Sequence, residues 1–158
     1  MTKRIVYTRL DGGVSIVCPA PEYVAQFATE ADAIAAIRAK DVPADATNVY
    51  VGDLTDLPVS RRFRNCWRYT EAMPSKINVD VPLARGQRLQ EVREERNKRL
   101  LASDGEYLKL QEQGTPAQQE SSKVYRQKLR DLPAVESPRI DACGTPEALV
   151  AYEPVWPV

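Results

Sequence analysis

The chain contains no histidine at all. That absence removes the usual general base near neutral pH, the Ser-His and Cys-His nucleophile pairs, and the commonest transition-metal ligand. Cysteine is scarce as well. Cys18, Cys66 and Cys143 stand far apart and form no Cys-x-x-Cys pair, so free thiols are expected rather than a disulfide framework or a zinc site. An excess of one charge is also missing: Lys plus Arg number 22 and Asp plus Glu number 22. A general nucleic-acid or membrane-surface binder normally needs a strong basic excess. No stretch approaches the roughly 18 apolar residues that span a bilayer. The opening MTKRIVYTRL carries basic residues without the apolar run of a signal peptide. A cytoplasmic protein with no membrane role is the expectation. The catalytic device left open is a carboxylate pair, Asp53 with Asp56 or Glu94 with Glu95. The first sits in a turn-like loop and the second on a salt-bridged helix, where solvated acids are the default. The chain therefore reads as a non-enzyme with no cofactor and no metal.

What is present supports an α+β fold. With 158 residues, 43% hydrophobic and 28% charged, the chain can bury a core, though not across its whole length. Two runs rich in Ile, Val and Tyr flank Asp11-Gly12-Gly13, which predicts a β-hairpin. TEADAIAAIRAK predicts a helix with Thr29 as N-cap, Glu30 and Asp32 at its positive end, Arg38 and Lys40 at the other, and Ala33, Ile34 and Ile37 as its apolar stripe. NVYVGDL and KINVDV read as short strands. From Pro82 a long helix is expected, sparse in apolar residues (Leu83, Leu89, Val92, Leu100, Leu101) and supported by Glu94-Lys98 and Glu95-Arg99 pairs. Asp104-Gly105 reads as a break into a polar stretch. Thr115 and Pro116 then open a second helix, which Pro133 is expected to end. The predicted organisation is a small domain over 1–80, a helical hairpin or extended helical segment over 81–133, and a Pro-rich docking tail over 134–158.

Three clusters carry candidate chemistry. Arg61, Arg62, Arg64 and Arg68 crowd around Phe63 and Trp67, and arginines interleaved with aromatics can bind single-stranded nucleic acid. The favoured reading is that the two aromatics plug a core while the arginines reach outward, so nucleic acid is not the expected partner. In SSKVYRQKLRDLP, Tyr125, Arg126, Leu129, Arg130 and Leu132 combine an arginine pair with an adjacent aromatic, the composition of an interface hot spot. The alternative is internal, with Arg126 or Arg130 bridging Glu91 or Glu95 to clamp a hairpin. Trp156, close to the C-terminus, either docks on a partner or packs back on its own chain.

The two helical strings also carry a resemblance. VREERNKRLLASDGEYLKL followed by YRQKLRDLPAV resembles the phage tail assembly chaperone family, small proteins encoded beside tail-fibre genes. Arg93, Arg96, Leu100, Leu101 and Asp104 match the family's first helix, and Tyr125 through Pro133, with position 128 variable, match its second. Trp156-Pro157 resembles the terminal Trp-Pro of similar sequences. Where the family usually has Trp directly after the Asp, this chain has Gly105-Glu106-Tyr107, which leaves Tyr107 as a substitute at shifted register. The resemblance implies a fibre assembly chaperone with phage tail-fibre or other tail proteins as partners, and homo-oligomers as a further state. It implies a bacterial host cytoplasm during assembly, or the virion tail. The alternatives are a permanent structural or adaptor component of that tail and, more weakly, a nucleic-acid module through Arg61–Arg68. The binding residues it implies are Tyr125, Arg126, Leu129, Arg130, Leu132 and the terminal anchor Trp156.

Overall fold

A computed structural model describes residues 3–71 and 75–158 and divides the chain into two compact units, 1–80 and 81–158. The α+β expectation holds.

In the first unit, β1 (Arg4–Thr8) and β2 (Val14–Val17) form the expected antiparallel hairpin. Its turn is closed by hydrogen bonds from Gly12 N to Arg9 O and from Arg9 N to Gly13 O. Gly12 sits at φ +78°, a conformation that only glycine adopts without strain. β3 (Thr47–Gly52) pairs antiparallel with the other edge of β1, giving the order β2-β1-β3. Two short helices, α1 (Pro21–Val24) and α2 (Glu30–Asp41), lie between β2 and β3 in the sequence. Thr29 caps α2 by accepting from Asp32 N, as its position predicts. The alternation along β1 divides the core in two. Ile5 packs with Ile34 and Ile37 of α2. Val6 packs with Val14, Leu57, Trp67 and Ile77. Trp67 opens β4 (Trp67–Tyr69), which pairs with β5 (Ile77–Val79) as a separate two-stranded sheet.

The second unit is helical: α3 (Val81–Ala102), α4 (Asp104–Gln113), α5 (Pro116–Asp141) and α6 (Pro146–Ala151). α5 begins as read, with Thr115 accepting from Gln118 N, the Gln118 side chain reaching back, and Pro116 in the first turn.

Two expectations are corrected here. The polar stretch after Asp104 is the helix α4. Gly105 stands in an exposed first turn, where it disturbs little, and Tyr107, Leu110 and Gln111 recur at helical spacing on the half-buried side. The helix also does not end at Pro133. α5 continues through Pro133 and Pro138 to Asp141, so 134–158 is not an irregular tail throughout. An interior proline costs a helix about 3 kcal/mol. Here Leu129, Leu132, Glu136 and Ile140 are all buried on one face, so side-chain burial on both sides of Pro133 offsets that cost. Arg96 Nη1 also donates to the Arg130 carbonyl at 3.2 Å, next to the Leu129 carbonyl that loses its helical donor at Pro133.

Candidate functional site

The second unit has a thin apolar interior of Ala84, Val92, Leu129, Leu132, Ile140 and Leu149. Arginines reinforce it. Along α3 they recur at helical spacing, and four of them reach other segments of the unit. Arg85 donates twice to the Cys143 carbonyl, at 3.1 and 3.0 Å. Arg88 donates to the Tyr152 carbonyl at 2.8 Å and to Glu91 Oε2 at 3.0 Å. Arg96 reaches Arg130 O, and the Arg99 guanidinium lies 4.1 Å from the centroid of the Trp156 ring. A planar fork of fixed donors suits this work better than a lysine ammonium. The Arg-rich string is thus a row of clasps as well as a charge ladder. The Glu95-Arg99 pair forms at 3.1 Å, while Lys98 approaches Glu95 rather than the expected Glu94.

Arg126 makes the densest of these contacts. Its Nη1 donates to Leu100 O at 3.1 Å and to Ser103 Oγ at 2.6 Å, and its Nη2 pairs with Asp104 Oδ1 at 2.7 Å. Its guanidinium stands 4.8 Å from the Tyr107 ring centroid. Ser103 is the one residue between α3 and α4, so Arg126 binds the end of one helix, the bend, and the start of the next.

A second polar group lies deeper. Glu136 is fully buried, accepts from the Tyr152 hydroxyl, and pairs with Arg139 at 3.0 Å. The pKa of the Tyr152 hydroxyl is pushed up to about 12, first by burial and then by its hydrogen bond to Glu136. Arg88 and Glu136 carry no site signal in the sequence. Charged residues there read as solvated surface, and only the spacing Ala84, Arg88, Val92 on one face of α3 hints otherwise.

The predicted binding residues therefore divide. Leu129 and Leu132 are core residues, at 0% and 5% exposure, so their expected place on a partner surface is corrected to the interior. Arg126 is spent on the α3–α4 bend, and not on Glu91 or Glu95. Trp156 folds back within its own unit under Arg99. Arg130 remains exposed and shares a shallow depression of about 300 Å³ with Tyr107, Lys123 and Arg126. Tyr125 is half-buried and lines a separate groove of about 590 Å³ between α4 and α5, with Tyr107, Leu110, Ser121 and Val158. In the first unit Phe63 and Trp67 are both 1% exposed, which places them in the core and leaves no stacking platform among the arginines. Among the described residues no group of three or more His, Cys, Asp or Glu is placed to hold a metal ion. Nor is any helix among them long and apolar enough to cross a membrane.

Comparison with known proteins gives one finding. Residues 89–150 match the family described as phage tail assembly chaperone protein. The match covers α4, α5, all but the last residue of α6 and most of α3, and lies wholly inside the second unit. No curated protein and no solved structure matches the chain.

Proposed function

From a chain whose residues 89–150 match the phage tail assembly chaperone family, we propose a non-enzymatic factor that binds the tail-fibre machinery during assembly, as a fibre assembly chaperone. The family supports the coarser statement, a role in phage tail assembly, and it is the observation that carries the reading. Accessibility within the second unit supports a choice among the proposed binding residues. Arg126, Leu129, Leu132 and Trp156 are used within the unit. Among the proposed binding residues, Tyr125 in its groove and Arg130, beside Lys123 on the exposed flank of α5, remain accessible. An exposed arginine and a half-buried tyrosine are the residue types that dominate interface energies. The bacterial cytoplasm during assembly is the proposed place of action.

The test is deletion of the gene from a phage that carries it, with mass spectrometry of purified virions. Fibres misassembled on deletion and no copy in wild-type particles are expected. Stoichiometric recovery from particles would replace the chaperone with a permanent tail component. Absence from particles together with intact fibres on deletion would overturn the tail-fibre reading altogether.

A further inference from the structure

The last seven residues of the chain form no helix or strand, yet they are not loosely placed. Tyr152 is held by Arg88, which is 6% exposed, and by Glu136, which is fully buried. Trp156 is held by Arg99, eleven residues further along α3. Eleven helical residues rise about 16 Å, and four extended residues span about 13 Å. The reach of the arginine side chains covers the remainder, so the tail runs nearly straight along α3. It ends at Val158, which is exposed at the border of the groove between α4 and α5.

The two anchors differ in kind. The inner one inserts a hydroxyl among buried charged groups, and releasing it strands a buried carboxylate acceptor. The outer one is a ring under a guanidinium whose side chain is 38% exposed and which also pairs with Glu95 at 3.1 Å. Val155 and Val158 are exposed. Pro154 and Pro157 carry no backbone N–H, and their fixed φ keeps the segment extended in either state.

We propose that residues 153–158 are a hinged strap. Tyr152 stays locked while the Trp156 anchor opens, with the helices intact, and opening frees Trp156 and the two residues after it from α3. The strap is a property of the second unit alone and stands whether or not the chain is a fibre chaperone.

The full chain labelled with 5-fluorotryptophan gives two ¹⁹F resonances, and Trp156→Phe assigns them. In Arg99→Gln the Trp156 resonance is expected to move toward that of free fluorotryptophan, reporting an open fraction raised about tenfold, as loss of a cation–π contact implies. The helical circular dichroism below the thermal transition stays at the wild-type value, so the Trp156 shift is seen with the helices intact. Glu95→Gln removes the ion pair and keeps the stack, and is expected to leave Trp156 unmoved. If Arg99→Gln leaves Trp156 in place, or if Trp156 moves only when the helices melt, the strap is part of the rigid core and the proposal fails. An equal shift in Glu95→Gln would overturn the assignment of the outer anchor to stacking.

Discussion

Tyr152 joins three segments of the second unit. Its carbonyl accepts from Arg88 on α3, its hydroxyl donates to Glu136 on α5, and its backbone leads into the tail. Removing the hydroxyl with Tyr152→Phe leaves a fully buried carboxylate oxygen without that donor, and such a loss costs about 1.5–3 kcal/mol. A urea titration of the helical signal at neutral pH is expected to show that loss. The hydroxyl has a folded-state pKa raised to about 12 from 10.0. The protonated form is thus favoured by folding, its contribution is complete below pH 10, and it is lost as pH rises toward 12. Wild type should lose stability across that window more steeply than Tyr152→Phe, and equal slopes would remove Tyr152 from the alkaline response. None of this network can be read from the sequence. Glu136 lies in a Pro-flanked string and Arg88 in a run of charges, where exposure is the ordinary expectation. What overrides it is the pairing of each with the other elements, which only the tertiary structure supplies.

At the scale of the element, α5 is the helix whose extent the local rules misjudge. Its start was legible, because Thr115, Pro116 and Gln118 form a capping signature with a fixed geometry. Its end was not, because Pro133 and Pro138 are strong local breakers and the force that carries the helix past them is nonlocal. Leu132, Glu136 and Ile140 continue the buried face that begins at Leu129, so breaking the helix would expose them. α4 was missed for a similar reason: Asp104-Gly105 looks like a turn until Arg126, from another helix, fixes the bend just before it. Pro138 is exposed, and its ring deprives the Ala134 carbonyl of a helical donor. Pro138→Ala restores that bond but makes the unfolded chain more flexible. The net expectation is a gain of about 1–2 kcal/mol in urea unfolding. A loss instead would show that the proline bend itself brings Ile140 into the core.

For the whole molecule, the division at 80/81 places the residues that match the family in one unit and leaves the other as a separate fold with its own interior. The first unit has apolar clusters on both faces of its sheet, and the second has helices clasped by arginines over a narrow apolar seam. Each is about the size at which a single core suffices without disulfides or metal, so each is expected to fold when made by itself. Residues 81–158 alone should give a strongly helical circular dichroism spectrum with cooperative melting. Residues 1–80 alone should give a mixed spectrum, and the two spectra should add to that of the full chain. A disordered 81–158 piece would mean that the arginine clasps do not compensate for so thin a core. In that case the chaperone-like unit would depend on the rest of the chain, or on a partner, for its structure. If the piece folds, the second unit holds the residues that match the family in place by itself, and the proposed binding to tail proteins can be tested on it without the first.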